Sequence, residues 1–250
     1  MDITDITLQV DGLKIKGRLY LPSGIYRTPY PAVCVCHGIP SGKPNDPDDG
    51  GYPSLAEKIC HQGFGVFIFS FRGTGTSEGN LDMPGWSRDL KAAIDYLYDL
   101  PGLNKSSLSL LGFSAGAAVS VYVASDDTRI SSVIACACPA ELEFNDPLSI
   151  IGHFRSIGTI RDKDFPASSD EWIDGFRLIK PLKHISGISP RPLLLVHGSQ
   201  DETVKVKQAY DLYIEAGEPR QIIIIDGAGH RLKGNDRAMD IVIDWLKSRG

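Results

Sequence analysis

Residues 108–116 read Leu-Ser-Leu-Leu-Gly-Phe-Ser-Ala-Gly, and this stretch decides how the rest of the chain is interpreted. The pattern predicts an apolar strand that runs into a Gly-x-Ser-x-Gly turn, with a helix of small residues behind the turn. Such a turn is so tight that glycines flank the serine, here Gly112 and Gly116, and the hydroxyl of Ser114 then projects from the top of the sheet. A five-residue pattern also arises by chance, so the assignment depends on the partners that follow.

Strand-sized apolar stretches lie on both sides of this one. Residues 3–21 alternate in polarity around Asp11-Gly12, a dipeptide that favours a tight turn, which predicts an antiparallel hairpin at the start of the chain. The other predicted strands are residues 32–36, 65–71, 130–137, 193–196 and 221–226. A polar loop is predicted over residues 41–51, where Asp, Pro and Gly are frequent.

Helical patterns separate the later strands. They are predicted from a capping box at Ser54, from about Trp86, behind Ser114, around Val206 and from Asn235. Parallel neighbours require crossovers, and right-handed crossovers place helices on both faces of a sheet. We therefore expect an α/β fold with a mostly parallel, eight-stranded sheet.

The regular alternation lapses between residues 140 and 189, which we interpret as an insertion over the top of the sheet within a single domain spanning residues 1–250. Its aromatic side chains either line a pocket for an apolar or aromatic ligand or simply bury against the body of the domain. The candidates for the pocket are Phe144, Phe154, Phe165, Trp172 and Phe176.

Composition excludes several classes of protein. A net charge of -5 without a basic patch argues against nucleic acid as a partner. The longest apolar runs are far shorter than the roughly 20 residues that span a bilayer, and the first residues do not resemble a signal peptide, so we expect a cytoplasmic protein without a membrane partner. Of the five cysteines, four lie in or at the end of predicted strands and are expected to pack in the core: Cys34, Cys36, Cys136 and Cys138. No metal-ligand spacing is present. The oligomeric state is left open, a homodimer included.

A serine nucleophile needs a base within hydrogen-bond reach and an acid that orients the base. After the strand at residues 193–196 comes Asp201, and after the last predicted strand comes His230. The order Ser, Asp, His is the one that this topology requires. Each of the three residues follows the carboxyl end of a predicted strand, where active sites of such sheets lie, so we expect Ser114, Asp201 and His230 to converge.

The sequence contains other acids and histidines that are alternatives to this set. Glu202 adjoins Asp201 and is the alternative acid, whereas Asp226 is expected to cap the turn after the last strand. His37 and His197 precede glycines at strand ends and are expected to donate to nearby loop carbonyls. The remaining histidines lie in a surface helix or in the insertion, where no motif supports a role: His61, His153 and His184.

An oxyanion hole needs two backbone amides aimed at the developing negative charge. The amide of Ala115, directly after Ser114, is one candidate. The second is expected in the loop that follows His37-Gly38, and we assign it to Ile39, because Pro40 has no amide hydrogen.

Together these motifs resemble the α/β-hydrolase superfamily over essentially the whole chain. The matching pieces are His37-Gly38, the run Phe71-Arg72-Gly73-x-Gly75-x-Ser77-x-Gly79, Gly112-Phe-Ser114-Ala-Gly116, Gly198-Ser-Gln-Asp201 and Gly229-His230. Within the superfamily the chain looks most like small serine esterases related to dienelactone hydrolases, to cinnamoyl or feruloyl esterases and to prolyl-oligopeptidase catalytic domains. True dienelactone hydrolases have a cysteine nucleophile where this chain has Ser114. In such families the segment corresponding to residues 140–189 forms a lid.

The resemblance implies a cofactor-independent serine hydrolase that cleaves small to medium apolar or aromatic carboxylic esters through an acyl-enzyme. A peptidase or amidase, and a thioesterase or acyltransferase, would use the same three residues. A non-catalytic binding protein on the same scaffold is a further alternative.

Overall fold

A computed structural model describes residues 1–24, 26, 28–42, 50–142, 144 and 146–249. Residues 43–49 of the predicted polar loop therefore lie outside the described residues. The strands are β1 (Asp2–Val10), β2 (Leu13–Leu21), β3 (Tyr30–Cys36), β4 (Gly65–Phe69), β5 (Leu103–Phe113), β6 (Ser132–Cys136), β7 (Leu193–Gly198) and β8 (Arg220–Ile225). The helices are α1 (Gly51–Cys60), α2 (Met83–Asp99), α3 (Ala115–Ala124), α4 (Pro147–Ser156), α5 (Ser169–Leu178), α6 (Pro181–His184), α7 (Val206–Glu215) and α8 (Asp236–Lys247).

The strands form one eight-stranded sheet in the order β1-β2-β4-β3-β5-β6-β7-β8. β1 and β2 pair antiparallel, β2 pairs antiparallel with β4, and every later pair is parallel. The expected fold, a mostly parallel sheet that starts with an antiparallel hairpin, is confirmed. Asp11 and Gly12 both have positive φ, 53° and 78°, which is the backbone geometry of a two-residue hairpin turn.

Helices cover both faces of the sheet, and β3 shows why its sequence is almost wholly apolar. Its side chains alternate between two cores: Cys34 and Cys36 belong to the core that contains α2 and α3, whereas Val33 and Val35 belong to the core that contains α1 and α8. All five cysteines are buried and free, so the packing role expected of the four in or at the end of strands is confirmed. Burial raises the pKa of the Cys60 thiol to about 11.

Two predicted helix starts are wrong for identifiable reasons. The capping box at Ser54 is not used, because α1 begins a turn earlier, with Gly50 as its N-cap and Pro53 in the first turn, where a missing amide hydrogen costs nothing. α2 begins before Trp86, because the side chain of Asp82 caps it by accepting a hydrogen bond from the amide of Gly85 at 2.8 Å.

Residues 140–189 contain α4, α5, α6 and a 3₁₀ turn, and their buried side chains join the core around α2 and α3. Hydrogen bonds fasten this segment to the connection between β4 and α2. The indole nitrogen of Trp172 donates to the carbonyl of Leu81 at 2.8 Å, and the amide of Leu81 donates to the carbonyl of Thr159 at 2.8 Å. The guanidinium of Arg161 donates to the carbonyl of Ser77 at 2.6 Å. The segment is thus held to the rest of the domain by these hydrogen bonds and by the packing of its buried side chains.

Candidate active site

Ser114 occupies the sharp turn between β5 and α3. Its backbone has φ 51° and ψ -123°, a conformation that non-glycine residues rarely adopt and that costs on the order of 1–3 kcal/mol. The flanking glycines are required by space. A Cβ on Gly112 would lie 2.4 Å from the Cα of Ala117, and one on Gly116 would lie 2.2 Å from the carbonyl oxygen of His37.

A continuous chain of hydrogen bonds leads away from the serine. Ser114 Oγ lies 3.0 Å from His230 Nε2, and His230 Nδ1 lies 2.7 Å from Asp201 Oδ2. Because an ionised carboxylate only accepts hydrogen bonds, the proton of the neutral imidazole belongs on Nδ1. The lone pair of Nε2 is then free to accept the proton of the serine hydroxyl.

Backbone amides hold Asp201 in this position. It is 4% exposed, and its Oδ1 accepts hydrogen bonds from the amides of Thr203 at 2.9 Å and Val204 at 2.8 Å. Of the rival acids, Glu202 is exposed, and Asp226 accepts a hydrogen bond from the hydroxyl of Ser199 at 3.2 Å. The structure therefore brings Asp201, and neither rival, into contact with His230.

The turn after β3 lies directly beside the serine. A Cβ on Gly38 would lie only 3.0 Å from the Cβ of Ser114. Within the described part of the chain, neither the amide of Ile39 nor that of Ala115 has a hydrogen-bond acceptor. Both amides are therefore free donors close to Ser114: Ala115 follows it in the chain, and Ile39 follows Gly38, which packs against it. An oxyanion hole requires two such donors.

His37 and His197 both bind loop carbonyls, which confirms the expectation for them. His37 Nε2 accepts from the amide of Phe71 at 3.1 Å, so its proton lies on Nδ1, which donates to the carbonyl of Gly38 at 2.7 Å. Burial lowers the pKa of both imidazoles.

One contact of His197 was not anticipated from the sequence. Besides the carbonyl of Val204 at 2.8 Å, its Nε2 lies 3.3 Å from Asp201 Oδ2. The sequence signal for this contact is the spacing of four residues between His197, at the end of a buried strand, and Asp201.

The aromatic side chains of residues 140–189 pack mainly on one another. Phe154, Trp172 and Phe176 are all less than 5% exposed, and the ring centroids of Trp172 and Phe176 are 4.8 Å apart. Phe144 and Phe165 are half-buried against the same core. Of these five side chains, only Phe144 and Phe165 keep a substantial solvent-exposed fraction.

Two cavities of about 500 Å³ and 460 Å³ flank the start of α1. The first lies against β1, β2 and β4, and the second lies between α1 and the start of α8. Over the described ranges, no group of three or more His, Cys, Asp or Glu side chains is arranged to hold a metal ion. None of the helices in those ranges is both long and apolar enough to cross a membrane.

Comparisons with known proteins point in one direction. A family model described as alpha/beta hydrolase fold matches residues 31–169. YfhR of Escherichia coli (strain K12) is 29% identical over 203 residues, which cover 78% of this chain and 64% of YfhR. The thiohydrolase aneE of Aspergillus aculeatus is 32% identical over 136 residues, covering 53% of this chain and 40% of that protein.

A solved structure has the same overall architecture. The Pyrococcus furiosus esterase Pf2001 superimposes with a TM-score of 0.73 over 99% of this chain and 91% of the esterase. At 21% sequence identity this likeness shows the fold alone. The chain covers between 58% and 64% of the length of the YfhR relatives from Salmonella typhi and Escherichia coli.

Proposed function

The chain belongs to the α/β-hydrolase family, and on that premise we propose that it is a serine hydrolase that cleaves carboxylic esters through an acyl-enzyme intermediate. The observation that supports this proposal most is the hydrogen-bond chain from Ser114 Oγ through His230 to Asp201, with distances of 3.0 Å and 2.7 Å. Such a chain activates a hydroxyl that is otherwise a poor nucleophile.

In the first half-reaction Ser114 Oγ attacks the acyl carbon of the ester while His230 Nε2 takes the hydroxyl proton. The negative charge moves to the carbonyl oxygen, which accepts hydrogen bonds from the amides of Ile39 and Ala115. His230 then gives its proton to the alcohol oxygen as the ester C–O bond breaks, and the alcohol leaves. Asp201 stabilises the imidazolium that exists between these two transfers.

In the second half-reaction a water molecule takes the place of the alcohol. His230 accepts a proton from the water, the hydroxide attacks the acyl carbon, and the bond to Ser114 Oγ breaks as His230 returns the proton to the serine. The products are a carboxylic acid and the regenerated enzyme. His230 performs every proton transfer in both half-reactions.

The direct test compares two serine substitutions on the same helix-turn unit. We expect the purified protein to hydrolyse p-nitrophenyl acetate, and Ser114→Ala to lower kcat by about 10⁴- to 10⁶-fold. Ser120→Ala is the matched control, because Ser120 is buried in α3 and donates to the carbonyl of Gly116 at 2.7 Å. Equal loss in both variants, or full activity in Ser114→Ala, would contradict the proposal.

The acyl preference that we propose is for small to medium apolar or aromatic groups. Phe144 and Phe165 are the aromatic side chains of residues 140–189 with surface left to contact a ligand. A series of acetyl, butyryl, octanoyl and cinnamoyl esters tests this preference. Rates that are flat across the series would show that no shaped apolar pocket exists.

A second candidate substrate class is the thioester. The similarity to the Aspergillus aculeatus thiohydrolase favours it, and the same three residues would carry the reaction. Matched oxygen and sulfur esters of one acyl group separate the two classes by the ratio of their kcat/KM values. A matched aminoacyl anilide in the same assay tests for a peptidase or amidase.

A further inference from the structure

A fourth side chain, that of His197, contacts the acid of the proposed active site, Asp201. His197 lies at the end of β7 and is 1% exposed. Its Nε2 lies between two oxygen atoms, the carbonyl oxygen of Val204 at 2.8 Å and Asp201 Oδ2 at 3.3 Å. Because both neighbours accept hydrogen bonds, a lone pair on Nε2 would be repelled by each of them. The imidazole therefore carries its proton on Nε2.

Val204 connects this histidine to the acid in two directions. Its amide donates to Asp201 Oδ1 at 2.8 Å, and its carbonyl accepts the proton of His197 Nε2. The buried side chain of His197 thus fastens the loop that carries Asp201 and Val204 to β7, in addition to the backbone hydrogen bond from the amide of Asp201 to the carbonyl of Gly198 at 3.3 Å. β7 is itself paired on both sides, with β6 and β8, so it is a rigid point of attachment.

From this geometry we propose that His197 is a positioning residue, which sets the place of the Asp201 carboxylate by holding the carbonyl of Val204. The proposal rests on the proposed serine-hydrolase function. His197 acts through Asp201 and touches neither Ser114 nor substrate. Its contribution should therefore exist only while Asp201 is a carboxylate that accepts the proton of His230 Nδ1.

Three substitutions separate the donor from the bulk of the ring. His197→Gln places an amide N–H near the position of the lost Nε2–H and should keep kcat within a few-fold of the parent protein. His197→Asn is too short to reach Val204, and His197→Leu has no donor. In both we expect kcat for p-nitrophenyl acetate to fall by about 10- to 100-fold with KM little changed, because displacement of a reacting group by about 1 Å costs up to roughly 10²-fold.

A double-mutant cycle with Asp201→Asn tests whether the effect passes through the acid. Once the carboxylate is gone, His197→Leu should lower the residual rate by less than about threefold, so the two effects should be strongly non-additive. A loss in the Asp201→Asn background as large as in the parent background would overturn the proposal. Retention of full kcat by folded His197→Leu would overturn it as well.

Proton NMR provides a second readout that does not depend on turnover. The His230 Nδ1 proton shared with Asp201 should give a strongly downfield resonance in the parent protein and in His197→Gln, and this resonance should shift or broaden in His197→Asn. An unchanged resonance in His197→Asn would contradict the proposal even if His197→Leu did not fold. If the parent protein shows the resonance but hydrolyses no ester, the proposed function fails while the role of His197 is still decided.

Discussion

At the scale of single residues, the geometry at Ser114 depends on Gly112 and Gly116, because the backbone around each of them leaves no room for a methyl group. We expect Gly116→Ala to abolish ester hydrolysis and to destabilise the fold by about 2 kcal/mol or more, because the added Cβ would meet the backbone oxygens of Cys36 and His37 at the end of β3, which cannot move independently. Gly152→Ala is the control: it is also helical, and its Cβ would meet nothing within 4 Å. The free energy of unfolding of Gly152→Ala, measured with denaturant, should be about 0.5–1 kcal/mol higher than that of the parent protein.

The acid supplies a second prediction at this scale. Asp201→Asn should lower kcat by about 10⁴-fold, because an amide that donates to His230 Nδ1 would hold the imidazole in the wrong tautomer. Glu202→Gln should leave kcat unchanged, since Glu202 is exposed and adjacent only in sequence. Steady-state kinetics of the two variants compare the rival acids directly. A larger loss in Glu202→Gln would reverse the assignment.

At the scale of elements, the buried side chain of Arg72 joins α2 to the β1–β2 hairpin. The guanidinium of Arg72 contacts Asp89 at 2.7 Å and Asp11 at 2.9 Å, and the Asp89 side chain is fully buried. Burial raises the pKa of Asp89 even though the bonds to Arg72 oppose that shift. The ion pair is therefore held at a desolvation cost, and removal of either partner leaves a poorly compensated charge.

We expect Asp89→Asn to lower the free energy of unfolding by about 3 kcal/mol, measured in urea or guanidinium chloride. Arg88→Gln is the matched control, because Arg88 also contacts Asp11, at 2.6 Å, but its side chain is 47% exposed. An exposed pair of this kind contributes about 1 kcal/mol or less. Equal effects of the two substitutions would show that burial does not govern this cluster.

The elements also show what the sequence alone could and could not predict. Strand positions followed from unbroken apolar runs such as residues 193–196, because a strand covered on both faces has few positions that face solvent. Helix starts were less predictable. Ser54 and Glu57 form a valid capping pattern, yet α1 starts at Gly51, where no cap side chain bonds to the helix. A capping box is a local signal of only about 1 kcal/mol, too small to fix a helix start by itself.

The site was more predictable than the segment of residues 140–189. Ser114, Asp201 and His230 each follow a strand whose place in the sheet is fixed by topology, so their convergence followed from chain order. The roles of aromatic residues between 140 and 189 did not follow in the same way. Pocket and core favour the same side chains, and composition does not distinguish a Phe176 that is fully buried from a Phe144 that is half-buried.

At the scale of the whole molecule, two buried histidines make stability depend on pH. Burial lowers the pKa of His37 and of His197 below the ordinary value of 6.5, so the unfolded chain binds these protons at a higher pH than the folded protein does. Their contribution to stability is complete above pH 6.5 and is lost as the pH falls through and below that value. The free energy of unfolding should therefore be lower at pH 6.0 than at pH 7.5.

Urea unfolding at the two pH values measures this difference, in a range above the ordinary titration of carboxyl groups. His197→Gln should show a smaller difference than the parent protein, because one of the two titrating groups is gone. A free energy of unfolding that is unchanged or larger at pH 6.0 would contradict the assignment of both imidazoles as neutral in the fold.

The central claim is that Ser114 is the nucleophile, and covalent capture tests it most directly. Intact-mass and peptide analysis after treatment with a fluorophosphonate should find one adduct per chain, on Ser114, with no adduct in folded Ser114→Ala and much slower labelling in Asp201→Asn. An adduct on a different residue, labelling of Ser114→Ala at the parent rate, or no labelling of the folded parent protein would contradict the claim.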